Sequence, residues 1–223
     1  MNTKEKMCCL HHIPLFQQLS EKEYQHILRL LHHQQFKKGD IIFSPDTKEQ
    51  LLIVSSGKMK VYKLNRLGKE QFIRMVGRGA YEGENYLFGC ENANLYGEAT
   101  TDTVICALYE SDFKTLLNTY PQINLKFLDL NAQKTIELGI QTELLSIDKI
   151  EERLALYLAR LSHTDKALEP QHIKIPIPLK ELASYLGTSP ETLSRKLRDF
   201  EKKNWIKRQQ KEITILSPFW SFF

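Results

Sequence analysis

The chain has 223 residues and a formal charge of +4, with 42% hydrophobic and 26% charged side chains. This composition is ordinary for a folded globular protein and excludes a disordered, collagen-like or purely coiled-coil chain. No apolar run exceeds the six residues Leu154 to Ala159, whereas a membrane helix needs roughly 20. Residues 1–12 carry lysines but lack the apolar core of a secretory signal. We therefore expect a cytoplasmic protein that has no membrane partner.

The cysteines are sparse and irregularly spaced, at Cys8, Cys9, Cys90 and Cys106. Four cysteines are too few to cross-link a secreted scaffold of this size, so in a reducing compartment we expect thiols, or a pair that switches.

The N-terminal half alternates short apolar runs with glycine and Asn/Asp turn signals, from Phe36 to about Leu108. Strands at this spacing predict an antiparallel sandwich or barrel. Before it, Ser20 and Glu23 form a capping-box pattern that opens a predicted helix. The apolar residues of that helix are Tyr24, Ile27, Leu28 and Leu31.

A long helix is predicted from Pro121 to Ile147, because no proline interrupts it and its apolar residues step by three or four. About 26 residues give a helix of roughly 39 Å, too long for a small barrel to cover. We expect a second copy of the chain to cover it, the alternative being packing within its own chain. The stripe comprises Leu125, Leu128, Ala132, Ile136, Ile140, Leu144 and Ile147.

A second domain is expected to begin at Asp148, because Asp148 and Glu151 form a fresh N-cap signature. The predicted partition is a strand-rich domain over 1–120, a dimerisation helix over 121–147 and a C-terminal domain over 148–223. The last 76 residues hold 14 Lys and Arg against 10 Asp and Glu, whereas the first 147 are neutral. Within the last 76 residues, Arg195 to Lys211 holds eight Lys and Arg against Asp199 and Glu201. A local basic surface of this kind binds phosphate, although a solvated charged helix is the alternative.

Residues Leu179 to Ile206 have the pattern of two helices joined by a tight turn. Gly187 supplies the turn, Ser189 is a good N-cap and Pro190 stands at the first helical position. Leu193, Leu197 and Phe200 fall on one side of the second helix, and its polar residues fall on the other. This is the pattern of a helix-turn-helix, and the hairpin pattern after Asn204 predicts a wing.

The polar face has the chemistry to bind DNA. Arg195 can donate to guanine and Glu191 can accept from cytosine, each giving roughly 1–3 kcal/mol of base discrimination. Ser194 can reach a base edge, and the more distal basic residues suit phosphates. A protein-binding helix would present an apolar anchor here. The predicted DNA-binding residues are Thr188, Ser189, Glu191, Thr192, Ser194, Arg195, Lys196, Arg198, Lys202, Lys207 and Arg208.

The segment Gly187-Thr-Ser-Pro-Glu-Thr-Leu-Ser-Arg-Lys-Leu197, preceded by Glu181-Leu-Ala-Ser-Tyr-Leu186, closely resembles the recognition motif of the Crp/Fnr superfamily. Gly57, Gly68 and Gly83-Glu84 match its β-roll landmarks. The resemblance implies an α+β fold: an N-terminal antiparallel β-roll of cyclic-nucleotide-binding, jelly-roll type, a long dimerisation helix and a C-terminal winged helix-turn-helix. It also implies a homodimeric transcription regulator that binds a palindromic operator in double-stranded DNA and contacts RNA polymerase.

The spacing of Glu191, Ser194 and Arg195 resembles the Fnr branch, which implies TTGA-type half-sites over TGTGA, whereas Pro190 departs from both branches. Cyclic-nucleotide binders of the family follow Gly-Glu with an Arg-Ser pair. Here Asn85 to Ala99 contains no Lys or Arg, so we do not expect cyclic AMP, because a buried phosphate needs a cation.

Metal and haem are not expected either, although haem and an iron–sulfur cluster stay open as alternatives. A cubane cluster takes four ligands, and adjacent cysteines rarely bind one cluster. The pairs His11-His12 and His32-His33 lack neighbours at ligand spacing.

The placement of Cys9 and Cys106 resembles that in Fnr-like proteins of Gram-positive bacteria, which use an intramolecular dithiol/disulfide pair. The resemblance implies a redox pair of Cys9 and Cys106, with Cys8 as a substitute, whereas inert thiols are the alternative.

Two other functions stay open: a regulator that responds to a ligand or haem without a thiol switch, and a β-roll module whose C-terminal domain binds protein. No enzyme is expected, because the chain lacks a phosphate loop, a nucleophile elbow and a zinc-protease helix.

Overall fold

The structure is a computed structural model, which describes residues 13–48, 50–65, 67–92, 94–162, 170–209 and 212–222. The chain divides into two compact units, Met1–Lys134 and Thr135–Phe223, and the division falls inside its longest helix. Within the described ranges, no helix is long and apolar enough to cross a bilayer.

The first unit is built on two antiparallel four-stranded sheets, with strand orders β1-β8-β3-β6 and β2-β7-β4-β5. This arrangement confirms the predicted antiparallel β-roll. Its helices are α1 (Glu21–Leu30) and α2 (Glu110–Thr119), and its strands are β1 (His32–Phe36), β2 (Ile41–Phe43), β3 (Gln50–Ser56), β4 (Lys58–Leu64), β5 (Glu70–Gly77), β6 (Tyr81–Glu82), β7 (Leu95–Ala99) and β8 (Thr103–Tyr109).

The central strand β3 is buried on both faces, so its side chains supply two cores. Leu51 and Ile53 pack with the helices α1 and α2, whereas Leu52 and Val54 pack between the two sheets. This division follows from the period of two along a strand. Helix α1 is held at its start by the predicted capping box, in which the Ser20 backbone N–H donates to the Glu23 carboxylate over 2.6 Å. Hydrogen bonds from the side chain and the backbone of Ser20 lower the pKa of Glu23.

The long helix α3 (Pro121–Ser146) has the predicted length of 26 residues. On one face, Ile123 and Phe127 are buried in the core of the first unit. The opposite face carries Leu125, Leu128 and Ile136, whose side chains are 71%, 65% and 63% exposed. The prediction of one continuous outward stripe is wrong at its C-terminal end, because Leu144 is fully buried in the core of the second unit.

The second unit consists of α4 (Ile150–Ser162), β9 (Gln171–Lys174), α5 (Leu179–Tyr185), α6 (Pro190–Lys202), β10 (Ile206–Gln209) and β11 (Glu212–Ile215). Its three strands lie in the antiparallel order β10-β11-β9, within the part of the chain that the structure describes. This is the predicted helix-turn-helix with its wing. Phe219 is fully buried and meets Phe200 and Trp205 edge to face, so it packs in the core of the unit.

The predicted capping box at Asp148 and Glu151 does not form. Helix α4 begins at Ile150, and the backbone N–H of Arg153 donates to the carbonyl of Lys149. The Glu151 carboxylate does not cap the helix, because it binds two lysines of α6 instead. A local pattern predicted the position of the helix start to within two residues, but a contact distant in sequence decided the partner of Glu151.

Gly83 and Gly39 provide a direct test of the packing around β3. Both have positive φ, +97° at Gly83 and +94° at Gly39. A Cβ added at Gly83 would lie 2.3 Å from the Gln50 carbonyl oxygen, whereas a Cβ added at Gly39 would have no neighbour within 4 Å. We expect Gly39→Ala to lower the free energy of unfolding by about 1–2 kcal/mol through backbone strain. Gly83→Ala should cost about 1–3 kcal/mol more, through overpacking. Urea unfolding followed by circular dichroism measures both, and equal costs would contradict the close approach.

Candidate nucleic-acid interface

The turn between α5 and α6 is tight and requires glycine. Gly187 has φ +64°, and an added Cβ would lie 3.0 Å from the Arg153 guanidinium and 3.0 Å from a methyl of Leu145. The next backbone N–H, of Thr188, donates to the carbonyl of Ala183 over 2.8 Å. Leu182 and Ala183 are fully buried beneath the turn. The angle between the two helices is therefore set by a close packing that a larger residue at the turn would disturb.

The N-terminus of α6 is capped as the sequence predicts. The Ser189 hydroxyl oxygen accepts a hydrogen bond of 3.2 Å from the Thr192 backbone N–H, and Pro190 takes the first helical position. Glu191 lies in the first turn and is exposed. Its pKa is lowered by a hydrogen bond from its own backbone N–H and by one from Ser189. Glu191 is thus ionised at neutral pH and can only accept hydrogen bonds.

Helix α6 separates into a buried face and an exposed face. Leu193, Leu197 and Phe200 are at most 1% exposed and pack in the core of the second unit. We call the opposite face the outward row; it consists of Glu191, Arg195, Arg198 and Lys202, and all four are exposed. Within the described part of the chain, no salt bridge engages the three cations of this row. Their charges are available to a ligand.

The two flanks of α6 are occupied by ion pairs within the unit. On one flank, Glu151 binds Lys203 at 2.6 Å and Lys196 at 3.2 Å, one ammonium on each carboxylate oxygen. On the other, Arg208 of β10 lies 3.6 Å from Glu201. The pKa of Glu151 is lowered first by the hydrogen bond from Lys203 and then by that from Lys196. These flanking cations are already paired with carboxylates, unlike those of the outward row.

The predicted DNA-binding residues therefore occupy three different settings. Glu191, Arg195, Arg198, Lys202 and the wing residue Lys207 are exposed, and so is Ser189, which caps the helix. Half-buried positions are taken by Thr188, Thr192 and Ser194, whereas Lys196 and Arg208 are paired with carboxylates. Contact of each residue with DNA stays a prediction.

Arg153 supports the interface, although no sequence pattern points to it. Its guanidinium donates to the carbonyl of Ile147, which follows α3, over 2.7 Å from Nη2 and 3.3 Å from Nε, and also to the carbonyl of Leu186 in the turn before α6. Both carbonyls end helical segments and would otherwise lack an intrahelical donor. Backbone acceptors carry no sequence signature, so no pattern identifies such a contact.

The predicted redox residue Cys106 lies in the first unit. It is fully buried in the core beneath α1 and α2, and its Sγ is 3.3 Å from Nδ1 of His33, its cross-strand partner on β1. The other predicted member, Cys9, lies outside the described residues, as do Cys8 and the pair His11-His12. Among the residues that the structure does describe, no three His, Cys, Asp or Glu side chains group as ligands for a metal.

Two stretches of the chain match known domain families: residues 33–120 match the cyclic nucleotide-binding domain, and residues 152–218 match the Crp-like helix-turn-helix domain. The chain is 39% identical over 209 residues to the probable transcriptional regulator flp of Lacticaseibacillus casei, covering 94% of each. It is 28% identical to the cyclic AMP receptor protein of Thermus thermophilus, covering 87% of this chain and 88% of that protein. The structure of a CooA mutant from Carboxydothermus hydrogenoformans has the same fold, with a TM-score of 0.76, 23% identity and coverage of 91% and 92%.

Proposed function

The chain belongs to the Crp/Fnr family of DNA-binding transcription regulators, and from this membership we propose that it reads a palindromic operator of the TTGA type as a homodimer. Members of this family are regulators and not enzymes. The observation that carries the proposal is the outward row on α6, in which Glu191 and Arg195 are exposed one turn apart. A base-reading helix needs hydrogen-bonding side chains at that position near its N-terminus.

The chemistry of the outward row assigns different roles to its members. Arg195 is suited to the O6 and N7 acceptors of guanine, and the ionised Glu191 to the N4 amine of cytosine. Arg198 and Lys202 lie further along the helix and suit phosphates. A protein-binding function is less favoured, because every residue of α6 is described and its exposed side chains, apart from Pro190, are charged.

The proposed dimer interface is the exposed apolar face of α3. Leu125, Leu128 and Ile136 lie on the side opposite the residues that pack on the β-roll, and water contacts more than 60% of each side chain. A second copy related by a two-fold axis would bury this face and would place two copies of α6 on a symmetric operator.

We further propose RNA polymerase as a partner and the cytoplasm as the compartment, since both belong to transcription from an operator.

Two cations near Gly83 are already paired with carboxylates, so they are not free for the phosphate of a cyclic nucleotide. Beside Gly83, the Arg74 guanidinium donates twice to Glu82, over 2.9 and 2.6 Å, and the Lys134 ammonium binds Glu84 over 2.7 Å. Glu82 and Glu84 are nearly fully buried. An incoming phosphate would have to displace one of these carboxylates and leave it uncompensated, which is costly in a buried setting. The residues present thus fit a cyclic nucleotide poorly.

The effector that we propose instead is an oxidant acting on the Cys9 and Cys106 thiols. Two thiols would lose two protons and two electrons to form a disulfide, and hydrogen peroxide as the oxidant would take them up and become two molecules of water. His33, whose Nδ1 lies 3.3 Å from the Cys106 sulfur, is placed to exchange the Cys106 proton. The resemblance to Fnr-like proteins carries this proposal, and the pairing stays a prediction.

Arg195→Ala and Lys202→Ala test the reading face. We expect Arg195→Ala to cost about 1–3 kcal/mol on a TTGA-type palindrome and to relax the base preference at one position per half-site. Lys202→Ala should weaken specific and random duplexes alike and lower the salt slope by roughly one per lost phosphate contact. Fluorescence anisotropy across a salt series measures both. The proposal fails if Arg195→Ala leaves the preference intact, or if the palindrome binds no better than random DNA.

Leu128→Glu tests the dimer. A charge in the centre of the apolar face should shift the protein from dimer to monomer in analytical ultracentrifugation, because two carboxylates would be desolvated at the two-fold axis. Gln133→Glu is the matched control, since it adds the same charge at an exposed position of α3 off the apolar face. A dimer that survives Leu128→Glu would place the interface elsewhere.

A thiol count tests the redox pair. The reduced protein is treated with hydrogen peroxide and then denatured, so that every remaining thiol can be counted. We expect the wild-type protein to lose two thiols and Cys106→Ser to lose none. Cys90→Ser is the control, because Cys90 is exposed and has no part in the proposed pair. A wild-type chain that keeps all four thiols under oxidant would end the proposal.

A further inference from the structure

We propose that Glu151 is a built-in competitor of the DNA backbone: it holds two lysines of the reading helix, Lys196 and Lys203, and so limits binding to DNA of any sequence. For Lys196, this inference replaces the direct DNA contact that the sequence predicts. The inference rests on the proposed reading role of α6 and adds to it a residue that sets specificity without touching a base. Glu151 stands in the first turn of α4, 45 and 52 residues before its two partners.

The geometry makes Glu151 a double acceptor. Its Oε1 accepts from Lys203 over 2.6 Å and its Oε2 from Lys196 over 3.2 Å, so both oxygens are engaged. Lys196 and Lys203 are seven residues apart and lie two turns apart on the same flank of α6. The ammonium of Lys203 also lies 4.3 Å from the centre of the Trp205 ring. Both lysines are therefore directed toward α4 and away from the outward row.

The position of these lysines is otherwise suited to phosphate. Each lies beside a residue of the outward row, Lys196 next to Arg195 and Lys203 next to Lys202. A lysine side chain is long and its charge is a compact point, so it can rotate toward a phosphate when its carboxylate partner is lost. Each ammonium that neutralises a phosphate releases about 0.9 of a counterion, without any dependence on sequence. Freed lysines would consequently strengthen binding to all duplexes.

The two ion pairs of Glu151 are expected to contribute little to the free energy of unfolding. The side chains of Glu151, Lys196 and Lys203 are 25%, 30% and 46% exposed, so water and salt screen their attraction. Such partly exposed pairs contribute little to folding. In the complex with DNA, by contrast, they decide how many cations of α6 reach the backbone. The main consequence of Glu151 is thus expected in the salt dependence of binding.

The test compares Glu151→Gln with Glu152→Gln in the full chain. Both variants remove one negative charge, but Glu152 pairs with Lys149 over 3.1 Å and, among the described residues, with no side chain of α6. Binding is measured by fluorescence anisotropy to a TTGA-type palindrome and to a scrambled duplex, from low to high salt. For Glu151→Gln we expect affinity for the scrambled duplex to rise about tenfold at low salt and the salt slope to steepen by roughly one to two per protomer. Glu152→Gln should leave the slope unchanged.

The lysine variants supply an independent readout. If Glu151 holds both lysines in the complex, Lys196→Gln and Lys203→Gln keep the wild-type salt slope, and Glu151→Gln/Lys196→Gln/Lys203→Gln returns to it. Equal slopes for Glu151→Gln and Glu152→Gln overturn the inference. So does a slope that falls by about one in either single lysine variant, since that lysine would then contact phosphate in the wild-type protein. Circular dichroism shows whether Glu151→Gln is folded. If it is not, the salt slopes of the two single lysine variants still test the inference.

Arg195→Ala, measured on the same duplexes, separates the two proposals. If it relaxes base preference while Glu151→Gln behaves like Glu152→Gln, only the role of Glu151 is wrong. If Arg195→Ala has no effect on base preference, the proposed reading face itself is wrong.

Discussion

The burial of three side chains of α6, Leu193, Leu197 and Phe200, is the constraint on which the DNA-binding unit depends. Once these side chains enter the core, the helix can no longer rotate, and the exposed positions follow from its 3.6-residue period. The residues that face away from the core are charged, and two of them, Glu191 and Arg195, have complementary hydrogen-bonding chemistry. The same packing that stabilises the unit therefore selects which residues a duplex meets.

Helix α4 connects this reading helix to the rest of its unit through two residues of its first turns. Arg153 ties the segment after α3 to the turn before α6 by hydrogen bonds to carbonyls, and Glu151 holds the flank of α6 by ion pairs. Hydrogen bonds from a guanidinium to two backbone carbonyls are directional. Ion pairs of partly exposed lysines yield more easily to salt. Arg153 is thus suited to set the geometry of α6, and Glu151 to set its net charge.

Helix α3 is apolar on two opposite faces, and this explains why its pattern was only partly predictive. Ile123 and Phe127 pack on the first unit, Leu144 packs in the second, and Leu125 with Leu128 faces solvent. A helix with an apolar face left uncovered loses favourable burial unless a partner covers it. The length of the helix and its periodicity were predicted correctly, whereas the assignment of each apolar residue to a face required the packed structure.

The sequence by itself determined the elements whose signals are local: the capping box of α1, the short apolar strands of the β-roll, the turn at Gly187 and the division of α6 into two faces. Each depends on residues at most a few positions apart, so the information is contained in a short window. Only the tertiary structure decided the partners of Glu151, Arg153 and Lys134, because these contacts join residues that lie 6 to 53 positions apart. Charged side chains of this kind have many alternative partners in a sequence, and only the folded chain brings one of them within bonding distance.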